Sequence, residues 1–228
     1  MLAKEPDFKT LQKEYDHLFK TDPIRDEESA YRWFAETIIS EKKDAARILD
    51  IACGGGFFLS QLKSVMGEKV VLAGIDISTE ALRLARKECP QSVHLNAVAE
   101  CEPFKTESFD IISCLGSLEH FPDIPRALRE MKRIAARNAR IFILVPNIFW
   151  YKDIVSVLLR GDRVERNQIY ERFASLGEWI RLIEECGLKV LKSVKYNGIA
   201  QKAWKQAIKD WVIPLRFSYH FLFICSAE

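Results

Sequence analysis

The chain has 228 residues, 48% of them hydrophobic, which is enough for one sizeable α/β domain. Its 34 basic and 32 acidic residues leave a net charge of +2, so charge gives no reason to expect a nucleic-acid partner. The six cysteines and four histidines lack metal-site spacing, and the cysteines lie mostly in apolar runs, as reduced thiols of a cytoplasmic protein would. The N-terminus is charged and no apolar run approaches the ~20 residues of a membrane span, so neither a signal peptide nor a transmembrane segment is predicted.

Two helices are predicted before the first strand. Apolar residues recur at helical spacing over 8–20 and again over 27–40, and Asp22-Pro23 separates the two patterns. Residues 1–42 are therefore expected to form an N-terminal helical cap.

The stretch 48–59 joins a strand to a helix through three consecutive glycines, 54–56. The apolar run 48–51 is typical of a buried strand, and helical spacing resumes at Phe57. Glycines allow a ligand to approach the backbone closely, and the following helix directs unpaired N–H groups at that ligand. A phosphate-binding P-loop would need a lysine after the turn, and a dinucleotide fingerprint would need a glycine where Leu59 stands. The turn thus predicts a different nucleotide-type pocket, with a purely structural turn as the alternative.

Four further strands have the spacing of a βαβ domain. The second, over 69–77, places Asp76 26 residues after Asp50, where such units carry a ribose-binding carboxylate. Ser78 is predicted to cap the helix that follows. The third, fourth and fifth strands are predicted at 92–98, 109–114 and 139–147, with a helix over 123–136.

The glycine turn resembles motif I of the class I S-adenosylmethionine (SAM) methyltransferases, a pattern close to D-x-G-x-G-x-G. Asp50 matches the acid, and Gly54 and Gly56 match the last two glycines. Ala52 stands where the first glycine is usual.

Two later stretches resemble the same family. Residues 99–110 contain the Pro-Phe and Phe-Asp pairs that many of its members share, and residues 117–121 read Ser-Leu-Glu-His-Phe. All of these stretches occur in the family's order and at fitting spacing. The resemblance covers residues 47–147, which we expect to be the cofactor-binding core.

The resemblance implies a doubly wound, Rossmann-like α/β fold with a seven-stranded sheet in the order 3-2-1-4-5-7-6. Strand 7 is expected to be antiparallel, and N-terminal helices and inserted helical lid segments are expected to accompany the sheet. The implied cofactor is SAM, with S-adenosylhomocysteine (SAH) as its product, and no metal is expected. The cofactor-binding residues that the resemblance implies are Asp50, Ala52, Cys53, Gly54, Gly56, Asp76, Ile77, Ala99, Glu100, Leu115 and Gly116.

Two segments beyond the core are expected on the acceptor side. Residues 148–173 combine aromatic side chains with arginines, which fits either an acceptor with an apolar body and an anionic group or a solvated loop. Residues 196–218 contain an apolar helical face with Trp204, Ile208 and Trp211. Packing on the domain or on a dimer partner is the favoured reading of that face, and a peripheral membrane contact through 200–215 is the other. A capping box at Ser175 precedes the sixth and seventh strands, predicted at 188–194 and 219–225.

These features predict a single domain over 1–228 that transfers the methyl group of SAM to a small-molecule acceptor, including a lipid- or glycan-linked one. His120, just after the fourth strand, is the candidate general base, although a helix-start residue that fixes the loop is the simpler interpretation. Two alternatives remain: a non-catalytic SAM-fold binding or regulatory protein, and an NAD-binding Rossmann oxidoreductase.

Overall fold

A seven-stranded sheet flanked by helices on both faces organises the chain. The computed structural model describes residues 7–21, 28–162, 171–199 and 203–227. The strands are β1 Arg47–Ile51, β2 Val71–Asp76, β3 Val93–Asn96, β4 Phe109–Leu115, β5 Ala135–Pro146, β6 Lys189–Tyr196 and β7 His220–Ser226. The α-helices among these residues are α1 Phe8–Thr21, α2 Glu28–Glu41, α3 Phe57–Met66, α4 Thr79–Glu88, α5 Ile124–Ile134, α6 Tyr151–Arg160, α7 Leu176–Glu185 and α8 Ala203–Val212.

The sheet has the predicted order, β3-β2-β1-β4-β5-β7-β6. The first five strands run parallel, while β7 runs antiparallel to both β5 and β6. The carboxyl ends of the parallel strands therefore share one edge with the end of β6 and the beginning of β7. Ligands of open α/β sheets bind at this edge.

Each face of the sheet is covered by its own apolar core, which is what makes the sheet doubly wound. Successive residues of a strand point to opposite faces. In β1, Leu49 packs into the core beneath α5 and α7, whereas Ile48 packs into the core beneath α2 and α3. Burial on both faces explains why the central strands are continuous apolar runs and not alternating ones.

Local signals confirm the predicted caps. The Ser78 hydroxyl accepts a hydrogen bond from the Ala81 N–H at the start of α4, and Ser175 with Glu178 forms a complete capping box at α7. One boundary differs from the sequence expectation, because the predicted helix 123–136 ends at Ile134. The strand β5 already begins at Ala135, which pairs with Phe109 of β4.

The inserted helices differ in how they are packed. Helix α2 lies against α3 and contributes to one apolar core of the sheet, whereas α1 lies against α4. Helix α6 buries only Asp153, and no described side chain of α8 is buried. Within the described ranges, no helix is both long and apolar enough to cross a bilayer.

Candidate active site

A cavity of about 820 Å³ opens at the carboxyl edge of the sheet. Its walls come from the turns that follow β1, β2, β3 and β4, from α1 and α2, and from the segment between β6 and β7. Ligand pockets of this kind usually measure about 300–1,000 Å³, so the volume suits a nucleotide-sized ligand with a small second molecule.

The turn after β1 adopts left-handed backbone at three positions. Ala52 has φ of 56°, Gly54 of 51° and Gly56 of 78°. Gly54 and Gly56 have different neighbours. A Cβ at Gly54 would lie 3.5 Å from the Phe19 ring on the cavity side, whereas a Cβ at Gly56 would lie 2.9 Å from the Cα of Ala85 in α4. Gly56 therefore permits close packing of the turn on α4 and does not line the cavity.

Two buried carboxyl groups stand at the ends of β1 and β2. Asp76 accepts hydrogen bonds from the Gly54 N–H at 2.8 Å and the Ser78 N–H at 2.8 Å, while the Ser113 hydroxyl donates to Asp50 at 2.7 Å. Burial raises the pKa of Asp50 to about 7 and that of Asp76 to about 6. Each Asp76 oxygen has a second lone pair, so the carboxyl group can still accept hydroxyl groups of a ligand.

The structure brings nearly all of the predicted residues together. Apart from Gly56, every residue expected to bind the cofactor lines the cavity, and so does His120. Across the described ranges, no three His, Cys, Asp or Glu side chains converge as a metal site.

Helix α1 covers the cavity and is fastened to the first turn of α4. The carboxylate of Asp16 accepts from the Ser78 hydroxyl at 2.7 Å, the Thr79 hydroxyl at 3.2 Å and the Glu80 N–H at 3.1 Å. The same face of α1 directs Tyr15 into the cavity. Burial and the negative charges of Asp76 and Glu119 raise the pKa of the Tyr15 phenol.

The short 3₁₀ turn Leu118–His120 after β4 carries a buried acid. Glu119 is 2% exposed and lines the cavity, and its Oε1 lies 4.0 Å from His120 Nε2. Burial, reinforced by the charge of Glu171, raises the pKa of Glu119 to about 8. From their position after the fourth strand, either Glu119 or His120 is expected to face the acceptor, and both line the cavity.

Arg172 fixes this turn from the acceptor-side segment. Its backbone N–H donates to the Glu119 carbonyl at 3.2 Å, and its guanidinium donates to the carbonyls of Phe121 and Pro122. No sequence motif signals this arrangement, because the partners are some 50 residues apart.

The arginines of 148–173 do not form an anion site in the described residues. Arg172 is committed to backbone carbonyls, and Arg160 lies exposed on α6. Arg163 and Arg166 lie outside the described residues. The cavity lining that is described contains no lysine or arginine, and its carboxyl groups belong to Asp50, Asp76, Glu100, Glu119 and Glu171.

The helices α6 and α8 expose apolar side chains. Leu158 and Leu159 are each 78% exposed and Trp211 is 86% exposed. The predicted face of 196–218 thus does not pack on the domain at Trp211 or Ile208. The side chain of Trp204 lies outside what the structure describes.

Three comparisons bear on the family. A family model described as a methyltransferase domain matches residues 49–143. The uncharacterized protein MJ1252 of Methanocaldococcus jannaschii is 36% identical over 153 residues, which are 67% of this chain and 55% of that protein. The chain therefore spans about half the length of this relative. A ubiquinone biosynthesis O-methyltransferase of Pseudoalteromonas translucida is 29% identical over 184 residues, with 76% of this chain and 75% of that protein covered.

A solved structure supports the same assignment at the level of the fold. The SAM-dependent methyltransferase of Aquifex aeolicus superposes with a TM-score of 0.61 at 18% identity, covering 96% of this chain and 98% of that one. The matched domain contains the glycine turn and both buried aspartates. The chain thus contains a methyltransferase domain with the fold of the class I SAM-dependent methyltransferases, the family whose cofactor is S-adenosylmethionine.

Proposed function

We propose that this protein transfers the methyl group of SAM to an oxygen atom of a small-molecule acceptor. The observation that carries the proposal is the cavity at the carboxyl edge, where Asp50, Asp76 and the Gly54 turn meet an apolar, partly covered space. The relative named a ubiquinone biosynthesis O-methyltransferase supports oxygen as the methylated atom.

The residues present fit the cofactor. Asp76 has the lone pairs to accept ribose hydroxyls, and Ile77 lies next to it as an apolar surface for the adenine. The backbone at Gly54 and Gly116 has no side chain of its own to fill the space above it, and nothing lies within 4 Å of a Cβ built at Gly116. Bound SAM supplies a methyl group on a sulfonium, which is already activated for displacement.

The contribution of the protein is then mainly geometric. It must hold the acceptor oxygen in line with the methyl–sulfur bond and exclude water from the reacting atoms. Helix α1 provides this cover, because Leu11, Tyr15 and Phe19 close one side of the cavity. A general base is needed only for an acceptor that arrives protonated, and His120 lines the cavity at a position suited to that role. If His120→Ala leaves full turnover on the acceptor, His120 is a structural residue.

Thermal unfolding in the presence of ligands tests the cofactor assignment, since a ligand that binds only the folded state raises the midpoint. SAM and SAH are expected to raise it and NAD is not. Asp76→Asn should weaken SAH binding about 10- to 100-fold, because hydrogen bonds to a charged group are worth roughly 1.5–3 kcal/mol. Asp110→Asn is the matched control, since Asp110 binds Arg47 at the opposite end of β4. A midpoint unmoved by SAM and SAH would contradict the proposal and favour a protein that has lost its cofactor site.

We also propose that α6 and α8 contact an anionic lipid surface. Apolar residues are exposed on both helices, and the exposed charges among their described side chains, Lys152, Arg160 and Lys205, are all basic. Apolar surface with basic flanks is typical of interfacial helices. Trp211→Ser should reduce co-sedimentation with vesicles that contain phosphatidylglycerol, and Val65→Ser on α3 should not. Absence of binding to such vesicles would leave a protein partner or a second copy as the occupant.

A further inference from the structure

Glu119 is a buried acid whose hydrogen bonding the protein leaves incomplete. Its side chain is 2% exposed, it lines the cavity, and its Oε2 has no hydrogen-bond partner among the described residues. A buried polar atom without a partner is costly, and such atoms concentrate where a ligand completes the bonding. We infer that Glu119 anchors the acceptor, and that it selects an uncharged molecule held through a hydroxyl group. This inference rests on the proposed methyl transfer.

The carboxyl group is held rigidly enough to select a ligand. Arg172 ties the backbone of the turn at Glu119, Phe121 and Pro122, as described above. The Leu118 side chain beside it is fully buried in the core beneath α5. A polar group carried on such a fixed turn discriminates ligands better than one on a loose loop does.

The charge of the lining argues against anionic acceptors. An acceptor carboxylate or phosphate held at Glu119 would lie close to Glu171, and no described lysine or arginine of the lining would compensate its charge. Burying an uncompensated charge costs several kcal/mol, whereas a neutral hydroxyl meets no such penalty.

The ionisation of Glu119 agrees with this geometry. Because burial raises its pKa to about 8, the carboxyl group is mostly protonated at pH 7. A protonated carboxyl group donates one hydrogen bond and accepts another, and a hydroxyl group complements both. The aromatic rings of Tyr196 and Tyr219, which also line the cavity, suit a flat apolar body attached to that hydroxyl.

The test uses two probes, catechol and 3,4-dihydroxybenzoate, which differ by one carboxylate group and hence by one negative charge. Transfer of labelled methyl from SAM is measured with the wild-type chain, Glu119→Leu and Glu102→Leu. Glu102 is the matched control, because it is equally buried with unpartnered oxygens but lies outside the cavity. We expect wild-type kcat/KM to favour catechol at least tenfold, and Glu119→Leu, which removes both the donor and the acceptor, to raise KM for catechol about tenfold. SAH should raise the unfolding midpoint equally in all three proteins.

The outcomes separate this inference from the proposed function. If SAH fails to shift the wild-type midpoint, the proposed function fails. If SAH binds but both probes react equally well, if catechol is not methylated, or if Glu119→Leu behaves as Glu102→Leu does, the inference is wrong.

Discussion

Two asparagines at the carboxyl edge perform the same task in different surroundings. Asn96, which ends β3, donates its side-chain amide to the carbonyls of Asp76 at 3.0 Å and Ile77 at 2.7 Å, and it is exposed. Asn147, just beyond β5, donates to the carbonyls of Arg216 at 2.9 Å and Ser218 at 2.8 Å, and it is completely buried. Water can therefore replace the hydrogen bonds of Asn96 on the cofactor side, but it cannot reach those of Asn147 on the acceptor side. Loss of these hydrogen bonds should therefore lower the unfolding free energy more at Asn147 than at Asn96.

Replacing Asn147 and Asn96 should give the largest difference in stability between two variants. Asn147→Ala leaves two carbonyls and the Phe149 N–H without their partner in a dry environment, so we expect a loss of about 3 kcal/mol in unfolding free energy. Asn96→Ala should cost below about 1 kcal/mol, because water replaces its bonds. Chemical denaturation of both variants measures the difference. Equal losses of unfolding free energy would show that burial does not distinguish the two asparagines.

Glu102 is buried, and neither of its carboxyl oxygens has a hydrogen-bond partner among the described residues. Burial, aided by the charge of Glu130, raises its pKa from 4.5 to about 8. The unfolded chain loses this proton near pH 4.5 and the folded chain near pH 8, so the wild type loses stability as pH rises through that window.

Glu102→Gln removes the titration. The variant should be nearly as stable as the wild type at pH 4.5 and more stable by on the order of 2 kcal/mol at pH 9. Unfolding midpoints at both pH values measure this. An advantage that does not grow with pH would mean that Glu102 is ionised in the folded protein.

The attachment of α1 should affect ligand binding more than global stability. Asp16→Ala removes the acceptor that joins α1 to the first turn of α4, which should cost about 1 kcal/mol and weaken SAH binding severalfold. Asp7→Ala is the control, because Asp7 accepts from Lys9 and Thr10 within α1 alone. Hydrogen exchange of residues 8–21 with and without SAH separates the variants. Equal protection of α1 in the two variants would show that Asp16 does not hold α1 against α4.

The smallest effect is expected at Ala52. Its φ of 56° is a left-handed conformation that costs an alanine about 1–2 kcal/mol, part of which glycine recovers at the expense of greater freedom in the unfolded chain. Ala52→Gly should therefore raise the unfolding midpoint by roughly 1–3 °C. A lower midpoint would show that the methyl group of Ala52 contributes packing that outweighs the backbone relief.

The features predictable from sequence are those that local patterns encode. The motif resemblance implied the sheet order that the structure has, and the spacing of Asp76 from Asp50 predicted a ligand-facing carboxylate at the end of β2, where Asp76 lines the cavity. The cofactor-binding role of Gly56 stays a prediction, because a glycine pattern does not distinguish a glycine that faces a ligand from one that faces a neighbouring helix, and a Cβ at Gly56 would meet Ala85 of α4.

The acceptor side could not be predicted in the same way. Arg172 meets its carbonyls some 50 positions away, and Asn147 meets Ser218 71 positions away, so neither contact leaves a periodic or motif signal. Asp16 likewise reaches Ser78 across 62 positions. The arginines of 148–173 suggested an anion site, since sequence shows the charge of a side chain but not the carbonyls that engage it.

The distribution of thiols gives the chain a built-in reporter of its own folding. Five of its six cysteines are buried and Cys101 alone is exposed. A thiol-specific dye should therefore modify the native protein once and the unfolded chain six times. Burial also raises the pKa of the Cys53 thiol well above its usual value at the cavity wall, so alkylation there should follow opening of the site and not collision with reagent. The number of labelled thiols per chain, measured at successive times, would give the fraction of molecules that have opened.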